Sequence, residues 1–339
     1  MLKVQGSKKN FLIMIIPFTM FLFLAGCGGG SSEKANQKDG DNNVAKQDMT
    51  IVVQPGLGYA PLTILREMAW LDEELPNVNI EWKTLASGAA IRDGLIAGQI
   101  QVGAGGIGPF LLGWDKGVNW KVLSSMDNME LRLMGKDPNK QSLDDFGPKD
   151  QIAMPGLDSI QSVVLRKGAL EQLGDARSLD ENIVALDHPT AMQALLSDQI
   201  SAHLTAPPYQ MQEEAEGAHI ILKSYDLFGE HTFNSIWVTE DYYNDNPEIM
   251  DVLYENIQRA IDLLNDDPDQ AAEILSRDSD GSPSAEQYKE WITQDFIKYT
   301  SKPNGFIDFA EVMKELGMID KIPACEDILH DTLGNPGEC

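Results

Sequence analysis

The feature that most constrains this chain is that it matches itself at an offset of 100 residues. Pro55-Gly56-Leu57 recurs as Pro155-Gly156-Leu157, Leu65-Arg66 as Leu165-Arg166, Ala69 as Ala169, Leu95 as Leu195, and Gln99-Ile100 as Gln199-Ile200. One spacing shared by all of these matches points to a duplicated unit. In each copy a short apolar run (51–53; 151–154) meets a Pro-Gly turn and then a segment of helical period. Leu62, Leu65 and Ala69 share one stripe in the first copy; Ile160, Val163, Val164 and Leu170 share one in the second. Later in each copy a helix ends and an alternating strand follows, at 99–102 and 199–202. Strands alternating with helices twice over predict an α/β protein of two lobes with a cleft between them, each lobe a mixed, largely parallel sheet flanked by helices.

Ligands of such sheets sit beyond the carboxyl ends of the strands, where loops feed into helix N-termini. That rule selects the loops at 54–60, 85–89, 104–110 and 124–128 in the first copy, and at 155–160, 186–190 and 205–209 in the second. The candidate ligand residues on them are Gln54, Gly58, Tyr59, Ser87, Gly88, Gly106, Ile107, Gly108, Asp127, Asp158, Ser159, His188, Thr205 and Tyr209, with Trp237 as a further aromatic face. The repeat singles out Tyr59, Ser87, Asp158, Ser159 and His188 as matching points that closure would gather around one cavity, with Gly106 to Gly108 adding backbone amides. No lysine or arginine occurs in these loops. An anion there depends on helix N-termini, at Ser87-Gly88, Ile107-Gly108, Ser159 and Thr190. A neutral or heteroaromatic ligand would instead use ring stacking and carboxylate hydrogen bonds, and the sequence leaves that choice open. His203, alternating with Ser201 and Thr205, is read as a structural histidine.

The N-terminus is a separate signal. Lys3, Lys8 and Lys9 precede an apolar run at 11–24 that ends in Leu24-Ala25-Gly26-Cys27, so residues 1–26 are expected to be a secretory signal. Leu-Ala-Gly-Cys resembles the bacterial lipobox, which implies cleavage before Cys27 and a lipid on its thiol. Residues 27–47 are rich in Gly, Ser, Asn and Asp and read as a flexible tether. Export also favours pairing of the other two cysteines, Cys325 and Cys339. With 53 acidic against 26 basic residues and a net charge of −27, the surface repels phosphate backbones, which excludes a nucleic-acid role.

An enzymatic reading finds little support. Gly103-Ala104-Gly105-Gly106-Ile107-Gly108 matches the dinucleotide fingerprint, but the helical segment after it is short before Gly117 and export removes the chain from such a cofactor. It is read as a tight loop whose amides approach a ligand. The histidines show no HExxH spacing, there is no GxSxG elbow, and cysteine spacing for a metal is absent. No cofactor, metal or catalytic residue is therefore expected. Asp266, Asp267 and Asp269 around Pro268 are read as a helix cap rather than a calcium site.

The order of these segments resembles the solute-binding proteins of bacterial ABC importers, in the branch that handles nitrate, sulfonates, taurine and thiamine-precursor pyrimidines. The resemblance is carried by Gln54-Pro55, Ala60-Pro61-Leu62, Ser87-Gly88, the runs 95–100 and 194–200, Pro207-Pro208-Tyr209, and Asn246-Pro247-Glu248 with the helix that follows. It covers roughly 50–275; the tail holding Cys325 and Cys339 has no match in it. Fungal pyrimidine synthases share this fold, but the cysteine-rich motif of those enzymes is missing here. The resemblance implies the type II periplasmic-binding-protein fold, with lobe I from 48–136 plus 230–339, lobe II from 137–229, and crossings near 135–137 and 229–233. It also implies a monomer that captures a small solute by hinge closure and delivers it to an ABC permease and ATPase at the outer face of the membrane. A sensor reporting to a signalling partner, and an extracellular enzyme on the same fold, are the alternatives.

Overall fold

A computed structural model describes residues 47–333 and Cys339. The signal segment, Cys27 and the tether lie outside the described residues, except for Gln47, which opens the first strand. The described strands are β1 (Gln47–Val53), β2 (Val78–Thr84), β3 (Gly103–Gly106), β4 (Trp120–Ser125), β5 (Asp127–Met129), β6 (Arg132–Gly135), β7 (Ile152–Met154), β8 (Ile183–Ala185), β9 (Ala202–Thr205), β10 (His219–Lys223), β11 (Asn234–Thr239) and β12 (Ile297–Tyr299).

Ten of these strands build two sheets of one pattern, and β5 pairs separately with β12 in antiparallel register. In the first, β1 pairs in parallel with β2 and, through a bridge between Ile51 and Val102, with the chain leading into β3. Strand β11 runs antiparallel between β3 and β4, so the order is β2-β1-β3-β11-β4. The second sheet has the order β8-β7-β9-β6-β10, in which β6 is antiparallel to both neighbours. Counted from the start of each copy, both orders read second, first, third, inserted strand, fourth. The repeat in the sequence is thus a repeat of topology. Helices Ala60–Glu67 and Ile160–Leu173 begin 100 residues apart, as do Gly88–Ile96 and His188–Leu196.

The local sequence accounts for the elements. Met49, Ile51, Val52 and Val53 are all buried, as a central strand covered on both faces requires. The helix Pro247–Asp266 opens on a proline, which its first turn tolerates, and buries Met250, Leu253, Ile257, Ala260, Ile261 and Leu264 along one stripe. Asp267 caps the next helix by accepting from the Gln270 amide at 3.1 Å.

The chain crosses between the sheets twice, and the crossings lie side by side. Phe233 N donates to Asp127 O at 3.1 Å, Met126 N to Asn234 O at 3.0 Å, and Asn128 bridges Thr232 in antiparallel register. The first crossing therefore runs through β5, earlier than the expected 135–137. The reason is pairing: Arg132–Gly135 hydrogen-bonds to β9 and β10, so the expected lobe boundary after 136 falls beyond a strand of the second sheet.

Behind the first sheet Phe110, Trp120, Trp237 and Phe306 pack as one aromatic group, with ring centroids 5.4 to 6.0 Å apart. Cys325 and Cys339 are joined by a disulfide, and the Cys339 carbonyl accepts from Phe306 N. The end of the chain is thereby tied to the helix Phe306–Glu315.

Candidate functional site

Five helices begin at one cleft between the two sheets. Tyr59, Ser87 and Gly106 cap or precede the helices Ala60–Glu67, Gly88–Ile96 and Ile107–Asp115 of the first lobe. Ser159 caps Ile160–Leu173 in the second lobe, and His188 is the first residue of His188–Leu196. Tyr59, Ser87, Gly106, Ser159 and His188 all line the same cavity. The caps themselves are in place: Ser87 Oγ accepts from Ala90 N at 3.3 Å, Ser159 Oγ from Ser162 N at 3.2 Å, and the Asp187 carboxylate from Thr190 N at 2.9 Å. First-turn amides of a helix have no partner within it, so this wall carries partial positive charge.

The space between these helix ends is about 40 Å³. One water needs roughly 10–15 Å³ on that measure, so the space suits a few waters or one small polyatomic group. A second space of about 350 Å³ opens beside it, shares Gln54, Pro55 and Gly56 as a wall, and is lined by Tyr209, Tyr288 and Trp291.

The lobes meet closely around the cavity. Arg92 Nη1 of the first lobe donates to Asp158 Oδ2 of the second at 3.0 Å, and Leu57 N donates to Pro207 O at 3.0 Å. At Gly108 a Cβ would stand 3.0 to 3.2 Å from backbone atoms of Asp158, Ser159 and Ile160, tighter than an ordinary contact, so a side chain there would force the two lobes slightly apart.

Of the residues expected from the sequence, Gln54, Gly58, Tyr59, Ser87, Gly88, Gly106, Asp158, Ser159 and His188 line the cavity. Six do not. Trp237 is inside the aromatic group, its indole donating to Ser235 Oγ at 2.8 Å. Asp127 and Thr205 have no exposed surface, because β5 and β9 turn them into the interior. Ile107 points into the core, Gly108 abuts the opposite lobe, and Tyr209 belongs to the neighbouring space while stacking on His188 at 5.7 Å. The glycine run is not a loop: Gly103 to Gly106 form β3, where a Cβ on Gly103 would meet Leu95 at 2.6 Å.

Gln161, Phe233 and Asn234 line the cavity from outside the selected loops, Pro207 lines it from within the 205–209 loop beside the expected residues, and Arg92 reaches Asp158 from one turn inside its helix. Arg92 was legible in principle, since a long side chain one turn after a cap reaches back along the helix face toward its N-terminus. Asn234 enters on a crossing strand, which the repeat does not describe.

Buried titratable groups surround the cleft. Burial pushes the Tyr59 hydroxyl well above its ordinary value, the Asp127 charge adds to this, and the Gln54 hydrogen bond opposes it. Burial holds His188 well below the ordinary histidine value, with His203 reinforcing and Asp187 opposing. The lining includes no lysine or arginine, and Asp158 is held by Arg92.

A family model described as NMT1-like matches residues 42–277. The chain belongs to the NMT1-like family. This NMT1-like chain is 31% identical over 94 residues to a putative ABC transporter periplasmic binding protein of Brachyspira hyodysenteriae, a match spanning 28% of this chain and 27% of that relative. Its fold is that of the ligand-binding component of an ABC-type import system from Staphylococcus aureus, solved with zinc bound. The TM-score is 0.68 at 17% identity, covering 85% of this chain and 98% of that one. It is also similar to the periplasmic aliphatic sulphonate binding protein of Escherichia coli, with TM-score 0.62, 15% identity, and coverage of 84% and 92%. At these identities the likeness shows the fold, which is the periplasmic-binding-protein fold. Among the described residues of the NMT1-like chain no group of three or more His, Cys, Asp or Glu is placed to hold a metal ion.

Proposed function

We propose that this chain is the solute receptor of an ABC importer, capturing a small anionic organic solute such as a sulfonate or carboxylate by hinge closure and delivering it to a permease and ATPase. The observation that carries this reading is the convergence of five helix N-termini from both lobes on one cavity without a lysine or arginine. Such termini bind anions through backbone amides and the helix dipole. The paired crossings between the sheets supply a hinge, and the Arg92–Asp158 contact supplies a closing contact. An inner space fit for one polyatomic group, beside a larger one walled by Tyr209, Tyr288 and Trp291, favours a charged head with an organic tail over a bare inorganic ion. The chain acts as a monomer without cofactor or catalytic step, its lobes formed by 48–136 plus 230–339 and by 137–229 with the boundary adjusted to include β6.

Thermal shift against nitrate, small sulfonates, carboxylates and pyrimidines tests the solute class. A true solute at a hundredfold excess over its Kd adds about 2.7 kcal/mol to stability, which for a protein of this size is a rise in Tm on the order of 5 °C. A response to pyrimidines alone would replace the anion by a heteroaromatic ligand. We also propose that Cys27 carries a lipid that holds the receptor at the outer face of the cell membrane. Cys27→Ala is expected to move the protein from the membrane fraction to the soluble one, and membrane retention of that variant would refute the anchor.

A further inference from the structure

Gln161, His188, His203 and Glu213 form one unbroken hydrogen-bonded file from the cleft wall into the interior of the second lobe. Gln161 Nε2 lies 3.1 Å from His188 Nε2, His188 Nδ1 lies 2.9 Å from His203 Nε2, and His203 Nδ1 lies 2.6 Å from Glu213 Oε1. Gln161 and His188 line the cavity, whereas His203 on β9 and Glu213 on the helix Tyr209–Ala215 have no exposed surface. The second oxygen of Glu213 has no hydrogen-bond partner. Solute capture by helix termini alone makes no use of this file.

We propose that the file is a proton relay that lets the cleft present an imidazolium to an anionic solute, the proton coming from Glu213. The anionic part of this inference rests on the solute class proposed above. Each hydrogen bond in the file has two possible directions. With donors pointing outward, the Glu213 O–H donates to His203 Nδ1, His203 Nε2–H to His188 Nδ1, and His188 Nε2–H to a solute or, once the Gln161 amide turns over to put its oxygen where Nε2 now stands, to that oxygen. Two proton shifts then convert this neutral file. The Glu213 O–H bond breaks as an N–H bond forms on His203 Nδ1, and the His203 Nε2–H bond breaks as one forms on His188 Nδ1. His188 becomes an imidazolium with both nitrogens protonated, Glu213 becomes a carboxylate, and the net charge of the file is unchanged.

The empty cleft favours the neutral form, since an interior carboxylate and imidazolium are both costly without a partner. Burial pushes the Glu213 carboxyl up to about 9 and holds His203 down at about 3. An anion against His188 Nε2 shifts that balance, because an opposite charge within about 4–6 Å favours the charged form. Most other charges around the file are already engaged. Asp187 caps the His188 helix, Arg132 on β6 is held by Glu130 and Glu214, and Arg166 on the Gln161 helix is held by Asp180. Tyr209 stacks on His188, and on β10 His219 is bonded to the Lys140 carbonyl while Lys223 stands at the strand end.

The sign of the pH dependence follows. Below about 9 the file holds its extra proton and anion affinity is level; above it the file is negatively charged, and affinity falls about tenfold per pH unit. In that alkaline form all donors point inward, so both rings must carry their proton on Nδ1 instead of Nε2.

The test is ring-nitrogen NMR of the ¹⁵N-histidine-labelled protein from pH 6 to 10, without solute and with methanesulfonate. The expected result without solute is a joint exchange of tautomer by His188 and His203 at one midpoint near 9, lost in Glu213→Gln. Fixed tautomers or separate midpoints in the unaltered protein would overturn the relay, whether or not the variant folds. With methanesulfonate bound at pH 7, His188 is expected to show two protonated nitrogens. A neutral His188 in that complex overturns the anion-driven step. Glu213→Gln is expected to bind methanesulfonate at least tenfold more weakly, and unaltered affinity counts against the proposal. If no anion binds at all, the solute class and the step it drives are both refuted, while the tautomer exchange still decides the relay.

Discussion

Asp127→Asn is expected to make the protein more stable at neutral pH, by a margin that grows with pH. Asp127 lies on β5, in the first crossing between lobes, with no exposed surface and no hydrogen-bond partner for either carboxylate oxygen. Burial pushes this carboxyl well above its ordinary value; the Asn234 backbone amide, outside hydrogen-bonding geometry, pulls the other way. The folded protein therefore keeps a proton there that the unfolded chain releases near pH 4. Between that point and the raised value the native state binds more protons than the unfolded one, so stability falls by about 1.4 kcal/mol per pH unit. Asn has the same shape and no proton to lose. Relative to wild type, the variant should gain stability progressively as the pH rises above about 4, read from urea unfolding at several pH values. Buried His188, His203 and His231 act in the opposite sense, holding stability above about pH 6.5 and losing it in acid, but both proteins carry them and they cancel. A stability difference that does not change with pH would mean that Asp127 is ionised in the fold.

How far the sequence could be read depended on whether a residue belongs to the repeated unit. Ser87 and Asp187, and Tyr59 and Ser159, occupy matching caps because the duplicated strand–turn–helix geometry places them there whatever their side chains do. The inserted strands β6 and β11 obey no such rule. Each is paired by a sheet formed mostly from other parts of the chain, so the first crossing lies earlier than 135–137 and Asn234 reaches the cavity from outside the repeat. The glycine run reads as a tight loop whose amides approach a ligand, and glycine itself has little propensity for strands. Packing overrode that propensity: Ile91 and Leu95 fill the space beside Gly103, and Trp237 fills the space beside Gly105. His203 is the interior, hydrogen-bonded histidine that its alternation with Ser201 and Thr205 predicts. Its partner, Glu213, could not be paired with it from spacing alone, because the bond joins a strand to the following helix across a cis-proline turn at Pro207-Pro208.

Gly108→Ala should weaken solute binding by tenfold to a hundredfold while leaving the empty protein folded. The backbone at Gly108 lies outside the left-handed region, so alanine adds no strain within its own helix. What its methyl group meets is the backbone of the other lobe, at Asp158, Ser159 and Ile160, and backbone cannot swing aside as a side chain can. Overpacking of this kind costs about 1–3 kcal/mol, and here the cost falls on the closed state alone because opening the hinge relieves it. Gly88→Ala provides the contrast. A methyl group there would stand 2.5 Å from Pro109 of the same lobe, so its cost is paid in open and closed states alike and should lower the Tm of the empty protein. Calorimetric titration and thermal unfolding of both variants separate the two effects. If Gly108→Ala binds as tightly as wild type, solute capture does not require the close approach of Gly108 to the 158–160 segment, and the ligand lies in the larger neighbouring space instead.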